Sequence, residues 1–210
     1  YRGDGAFGQY CIVLPEHDTV IAITSGVANM QAVLDVIWEH LLPALHAEPL
    51  PDDEAAHTRL RERLAALALP TPAGQAMPAQ ATELPTCVYK LDNNESGIVS
   101  VQLIPGETGT TLVLQNDAGQ QRIVCGYGHW EPGLALLNVG RPLANPQPMP
   151  IAASGAWTTP DTFMADVYAD ETPFRLRITC SVQGKTISYH QQVNVSFMPT
   201  EQPAIQGRCS

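Results

Sequence analysis

With 210 residues, the chain can hold one large domain or two small ones, and its 44% hydrophobic and 15% charged residues exclude a disordered chain. Asp and Glu number 21 and Lys and Arg 11, a net charge of −10 that opposes capture of nucleic acid or anionic lipid. No apolar run approaches the roughly 20 residues of a membrane-spanning helix. We therefore expect no nucleic acid and no membrane among the partners.

The first predicted elements are two short strands and an amphipathic helix. Apolar runs at 10–14 and 20–23 flank turn-forming residues, which predicts a hairpin of buried strands. Asn29 is a candidate N-cap for the helix, and Pro43 kinks or ends its last turn. Large apolar residues recur along the helix at three- and four-residue spacing, which gives one apolar stripe: Met30, Val33, Leu34, Ile37, Trp38, Leu41, Leu42 and Leu45.

A second helix and a linker follow. Asp52, Asp53 and Glu54 predict a helix start, because acidic side chains are favoured in the first turn. We expect this helix to continue to about residue 69. Residues 70–85 are rich in Pro, Ala and Thr, a composition that predicts a linker crossing a surface.

Beyond the linker, short strand-like segments alternate with turns, which predicts an antiparallel barrel or sandwich. Residues 140–150 hold several prolines and predict a long loop. The strand-like segments are 88–91, 98–104, 111–114, 122–127, 163–168, 174–182, 186–189 and 193–197. The predicted class is α+β, with a hairpin and helix in 1–47, a helix and linker in 48–84, and a β-domain in 85–210.

The cysteine pattern favours free thiols. Five cysteines are spread along the chain without a Cys-x-x-Cys pair, which indicates neither a zinc site nor a dense disulfide framework: Cys11, Cys87, Cys125, Cys180 and Cys209. We expect buried thiols in a reducing compartment, and hence a cytoplasmic protein. His17 lies between Glu16 and Asp18, but adjacent turn residues rarely converge on one ion, so a solvated turn is expected. No metal and no cofactor are predicted.

The opening residues resemble a known family. The run Tyr-Arg-Gly-Asp-Gly-Ala-Phe-Gly-Gln-Tyr, followed by an apolar strand, Pro15-Glu16, a second apolar strand and an amphipathic helix, is similar to the C-terminal end of a serine hydrolase catalytic domain. The family is that of class C β-lactamases and penicillin-binding-protein-like hydrolases. The resemblance implies that residues 1–47 end such a catalytic domain. It also implies that residues 85–210 are a β-rich, often lipocalin-like, accessory domain.

The catalytic nucleophile of that family is absent from this sequence. The family needs a Ser with a Lys three residues later to accept its proton. No tyrosine is followed two residues later by Asn, as in the family's Tyr-x-Asn motif. The residues three positions after Ser25, Ser96, Ser100, Ser154, Ser181, Ser188 and Ser196 are Ala, Val, Leu, Trp, Gly, Gln and Pro, and Ser210 is the last residue. The chain alone is therefore expected to be inactive.

The resemblance also implies what the first residues contribute to the family's cleft. Gly3 falls where a strand N–H serves as the second oxyanion-hole donor. Arg2 is either a carboxylate-binding cation or one half of a solvated salt pair with Asp4. The implied substrate-binding residues are Arg2, Gly5, Ala6, Phe7, Gly8 and Gln9. The implied partner is the missing N-terminal catalytic portion, in the same protein or on a separate chain; self-association is the other way to cover the apolar surface.

A different function also fits the sequence. In this alternative, the β-domain is a non-catalytic binding or structural module that holds a small apolar ligand or a partner chain. Tyr127, His129 and Trp130 form the segment of this domain richest in chemically active side chains. This segment lines a pocket at a barrel mouth or, alternatively, packs its aromatic side chains beside a strand end.

Overall fold

The computed structural model of the chain describes residues 1–77, 88–117, 119–137, 139 and 147–209. They fall into two compact units, Tyr1–Pro70 and Thr71–Ser210. The described residues are mostly β, with two short α-helices, both in the first unit. The predicted β-barrel is confirmed, whereas α+β is not a clear description of a chain with so little helix.

A three-stranded antiparallel sheet opens the first unit. Its strands are β1 (Arg2–Gly5), β2 (Gln9–Leu14) and β3 (Thr19–Ile23), in that order across the sheet. The predicted hairpin is present as β2 and β3, joined by a 3₁₀ turn at Pro15–His17. β1 adds a strand that the sequence pattern did not reveal.

A helix covers one face of this sheet. In α1 (Met30–Val36), the predicted N-cap is confirmed, because the Asn29 side chain accepts a hydrogen bond from the Ala32 N–H at 3.3 Å. The chain continues through a π-helical turn at Ile37–Leu41 and a 3₁₀ turn at Leu42–Ala44, so the helix ends around Pro43 as expected. The buried core of the unit consists of Tyr10, Ile12 and Leu34.

The second helix has no buried face. α2 (Glu54–Ala65) is capped by the Asp53 carboxylate, which accepts from the Ala56 N–H at 2.8 Å. It begins as predicted but ends before residue 69. Leu60 and Leu64 are each 56% exposed, and α2 holds no buried residue.

The second unit is a closed β-barrel. Its strands are β4 (Tyr89–Leu91), β5 (Ile98–Gly106), β6 (Gly109–Asn116), β7 (Gly119–Gly126), β8 (Glu131–Ala135), β9 (Met149–Thr159), β10 (Thr162–Ala169), β11 (Arg175–Gln183), β12 (Thr186–Val193) and β13 (Ile205–Cys209). Neighbouring strands of the ring pair antiparallel except β7 and β9, and the last strand pairs with the first. β8 pairs with β9 on the edge that β7 meets at Ser154, so within the described residues the ring has nine strands.

The odd number of strands explains why one pair of neighbouring strands, β7 and β9, is parallel. Nine alternating strands leave two neighbours pointing the same way, and these are β7 and β9, which pair parallel at Gly126 and Ser154 only. Residues 71–77 extend the pairing: Gln75 and Trp157 exchange two backbone hydrogen bonds of 2.9 Å. The Tyr127 hydroxyl donates to the Gly74 carbonyl at 2.9 Å. Part of the predicted linker is therefore bound to the barrel, and residues 78–85 lie outside the described range.

Large side chains fill the barrel interior. Alternate residues of each strand point inward, and fully buried examples are Leu112, Ile123, Trp157, Phe163, Ile178, Ile187 and Tyr189. Gly155 makes this packing possible, since a Cβ there would lie 2.5 Å from the Phe163 ring. The interior is a packed core through most of its length.

The strand predictions succeed for most of the barrel and fail at four places. β8, β9 and β13 were not predicted, and residues 194–197 do not continue β12. β9 begins at Met149, inside the predicted 140–150 loop; residues 140–146 lie outside the described range.

The cysteines differ from the prediction of buried free thiols. Cys125 and Cys180 are free and buried, but Cys11 is exposed and Cys209 is disulfide-bonded. Cys87 lies outside the described residues. The cytoplasmic location stays a prediction and loses this support. Within the described residues, no helix has the length and apolar character to cross a membrane.

Candidate functional site

The residues that the resemblance assigns to the cleft lie in the β1–β2 hairpin. Arg2 Nε donates to Asp4 Oδ1 at 2.8 Å and Arg2 Nη2 to Asp4 Oδ2 at 3.2 Å. Both side chains are largely exposed, and the hydrogen bond to Asp4 raises the Arg2 pKa. The structure thus shows the salt pair, with the guanidinium fork occupied by Asp4.

Hydrogen bonds from the segment after β3 hold the turn between β1 and β2 in place. Phe7 and Gly8 have positive φ of 63° and 85°, and the Ser25 hydroxyl donates to both of their carbonyls. A Cβ on Gly8 would lie 2.5 Å from that hydroxyl oxygen, so only glycine fits. Gly8 is buried, whereas Ala6 is exposed.

Strand pairing decides which N–H groups face the open edge of β1. Tyr1 and Val13 exchange two backbone hydrogen bonds, of 2.9 and 3.1 Å. Hydrogen-bonded pairs alternate along an antiparallel ladder, so Gly3 directs its N–H toward Cys11. The N–H groups of Arg2 and Asp4 point away from β2, toward the open edge.

The sheet face opposite α1 is largely apolar and uncovered within the first unit. Cross-strand partners share a face, which places on it Gly5 and Gln9 together with the set Tyr1, Gly3, Cys11, Val13, Val20 and Ala22. None of these residues is charged. Tyr1 is 84% and Val20 67% exposed. We call this surface the uncovered sheet face.

None of the described serines is activated by a lysine. The sequence holds two lysines, Lys90 and Lys185. Lys90 lies opposite Ser100 on neighbouring strands, yet within the described residues no hydrogen bond joins their side chains. Ser25 is occupied by the turn carbonyls, and the buried Ser154 hydroxyl donates to the Gly126 carbonyl at 2.8 Å.

A cavity of about 350 Å³ opens at one mouth of the barrel. Residues of the β4–β5 and β12–β13 connections line it together with Leu136 and Leu137, which follow β8. Its apolar lining includes Ile98, Leu114, Ile123, Leu176, Tyr189 and Val193. Side-chain amides of the lining are those of Asn116, Gln121, Gln191 and Gln202, whereas Gln192 directs its side chain to the outer face, opposite Arg177.

A partly buried chain of hydrogen bonds lies on one side of the cavity. The Tyr189 hydroxyl donates to Gln191 Oε1 at 3.2 Å, and Gln191 Nε2 donates to Ser96 Oγ at 2.8 Å. Tyr189 is fully buried, and burial raises the pKa of its hydroxyl, so it stays a neutral donor. On the other wall, Gln121 Oε1 accepts from the Leu136 N–H at 2.7 Å.

Residues 194–202 fold back on β12 and form a flap over the cavity. The Val193 N–H donates to the Thr200 carbonyl at 2.8 Å, and His190 Nε2 lies 3.2 Å from Glu201 Oε1. At the flap tip, Phe197 is 71% and Met198 62% exposed.

The segment predicted to line a pocket lies elsewhere. Tyr127, His129 and Trp130 follow the end of β7, whereas the cavity is lined by residues nearer its start. Trp130 packs edge-on against Tyr168 with ring centres 5.1 Å apart, so the alternative of packed aromatics describes it. The residues that line the cavity are far apart in sequence, and no local sequence motif predicts that they come together.

No group of His, Cys, Asp and Glu in the described part of the chain is arranged to hold a metal ion. The Glu16-His17-Asp18 segment is an exposed turn. No protein-family model, curated protein or solved structure matches this chain.

Proposed function

We propose that the chain is the C-terminal part of a serine hydrolase resembling class C β-lactamases and penicillin-binding-protein-like enzymes. It lacks the nucleophile and forms one wall of the cleft. The observation that carries this proposal is the uncovered sheet face. A sheet that buries one face in a core of three residues and leaves the other apolar face bare needs a further layer.

The reaction of the parent is acyl transfer to a serine, followed by hydrolysis of an amide, ester or β-lactam. The serine and the lysine that accepts its proton come from outside these residues. The open edge of β1 supplies backbone donors: the N–H groups of Arg2 and Asp4 fit an oxyanion or substrate carbonyl better than that of Gly3 does.

The partner is the missing catalytic portion, upstream in the same protein or on a separate chain. It covers the uncovered sheet face and pairs with or lies beside β1, which protects an edge that otherwise invites aggregation. Self-association through the same face is the competing arrangement.

Covalent labelling tests the proposal. A native preparation is treated with a fluorescent phosphonate or penicillin, and the intact masses of all polypeptides are measured. We expect the label on the polypeptide that carries the catalytic portion, either a co-purifying chain or a longer form of this protein, and none on the 22.6 kDa chain. A label on this chain would mean that it holds its own nucleophile, against the proposal.

The mouth cavity favours a second function, that of a binding module. The remaining barrel interior is packed, but this end keeps a cavity with amide-bearing walls. A ligand that binds only the folded barrel raises its unfolding temperature. The test is a thermal-shift screen in which a hit must lose its effect when the mouth is blocked by Met198→Trp.

A further inference from the structure

The mouth cavity has a lining that selects by charge. No residue among the described lining residues is Lys, Arg or His, and Glu95 is their only carboxylate. An anion in the cavity would lose hydration, meet no counter-charge and be repelled by Glu95. The chain as a whole, with a net charge of −10, repels anions further.

The walls offer neutral hydrogen-bonding groups. A side-chain amide both donates and accepts. Within the described residues, the side chain of Gln202 makes no hydrogen bond, whereas Gln191 and the Gln121 carbonyl are already held in place. The cavity thus combines fixed amides with one amide that remains open to a ligand.

The volume of the cavity and the residues of the flap indicate the size and the apolar character of the ligand. About 350 Å³ lies at the small end of ligand pockets, enough for a molecule of two fused rings with a substituent. Ile98, Leu114 and Ile123 give it an apolar floor. Met198 at the flap tip both lines the cavity and is largely exposed, so closing the flap on an apolar ligand buries it.

We infer that the mouth cavity binds a small uncharged molecule with an apolar ring body and a hydrogen-bonding group, and discriminates against anions of the same shape. This inference rests on the second proposed function and is independent of the hydrolase proposal. It concerns residues of the barrel alone.

Two dyes with one skeleton test the charge rule. N-phenyl-1-naphthylamine is neutral, and 1-anilinonaphthalene-8-sulfonate carries an added sulfonate. In fluorescence titrations of the full chain, we expect saturable binding of the neutral dye and affinity at least tenfold weaker for the sulfonate. Glu95→Gln should strengthen sulfonate binding severalfold and leave the neutral dye unchanged.

Paired variants locate the site. Met198→Trp enlarges an exposed side chain that lines the mouth and should weaken neutral-dye binding at least tenfold. Gln120→Trp, at an exposed glutamine of β7 outside the cavity, is the matched control and should bind normally. Gln202→Trp is a second mouth variant, used if Met198→Trp does not retain the parent's unfolding temperature.

The outcomes separate the two claims. Absence of saturable binding for both dyes overturns the inference and the binding-module function together. Equal or tighter binding of the sulfonate overturns the charge rule, although a binding module would stand. Neutral-dye binding that survives both mouth variants places the dye elsewhere, for example on the uncovered sheet face, and overturns the inference.

Discussion

Asp166 on β10 and Arg177 on β11 lie directly opposite each other on the outside of the barrel. Arg177 Nε and Nη2 each donate to one carboxylate oxygen of Asp166 at 2.8 Å, and Arg175 lies 3.9 Å from the same carboxylate. Asp166 is only 4% exposed, although Ala165 and Val167 are the neighbours that point into the core. The hydrogen bond to Asp166 raises the Arg177 pKa.

Because of this ion pair, we expect removal of the Asp166 carboxylate to destabilise the folded barrel strongly. Asp166→Ala leaves two guanidinium groups against each other without their counter-charge and should lower the free energy of unfolding by about 3 kcal/mol. Glu131→Ala removes the partner of the exposed His129, and it should cost less than about 1 kcal/mol. Urea unfolding of the barrel measures both, and equal costs would contradict the importance of burial.

The buried thiols predict a loss of stability in alkali. Burial raises the pKa of Cys125 to about 12 from 9.0, and burial also raises that of Cys180. The unfolded chain therefore loses these protons first as the pH rises. The stabilisation is fully present below about pH 9 and is lost progressively up to about pH 12.

Urea midpoints between pH 7 and pH 11 measure this effect. Above pH 9 each thiol should lower the free energy of unfolding by about 1.4 kcal/mol per pH unit. Cys125→Ala should flatten the profile, and Cys11→Ala, at an exposed position, should leave it unchanged. A profile that Cys125→Ala does not alter would contradict the assignment.

Thiol reactivity follows the same division. Under non-reducing conditions at pH 8, iodoacetamide should modify Cys11 quickly, because it is exposed. Cys125 and Cys180 should react only after denaturation, since their thiols are buried and protonated. Peptide mass mapping over time distinguishes the sites; fast modification of Cys125 in the folded chain would show that the barrel opens there.

The uncovered sheet face predicts association. Val20→Lys places a charge on the β3 side of this face, at a position that is 67% exposed, and should reduce self-association or partner binding at least tenfold. His17→Lys, in the exposed turn before β3, is the control and should leave association intact. Light scattering over a concentration series gives the result, and unchanged association of the Val20 variant would remove this face as the contact surface.

Local sequence patterns predict the elements whose caps, turns and apolar spacing involve only residues close in sequence. α1 follows from its apolar spacing and the Asn29 cap, and the β2–β3 hairpin from two apolar runs around Pro15. The barrel hairpins with clear turns, such as β11–β12 around Gly184, are equally visible. These features depend on neighbours in sequence, which is why one sequence suffices for them.

The remaining elements depend on distant packing. β9 is rich in Ala, Ser and Gly, so its sequence does not resemble a strand, yet the strand is buried on both faces. On the inner face, Gly155 leaves room for the Phe163 ring. On the outer face, Ser154 and Ala156 are buried. Such small residues have low strand propensity, and only tertiary contacts select them. The mouth cavity cannot be predicted from local patterns either, since Ser96 and Gln191, which form a hydrogen bond beside it, are 95 residues apart in sequence.

Turnover by the purified chain tests the central claim most directly. The chain is assayed alone with a chromogenic ester and a chromogenic β-lactam, against buffer and heat-denatured controls. We predict no turnover above these controls, because the described serines lack a lysine partner and the sequence lacks the Ser-x-x-Lys motif. Saturable turnover that one serine substitution abolishes would contradict the account.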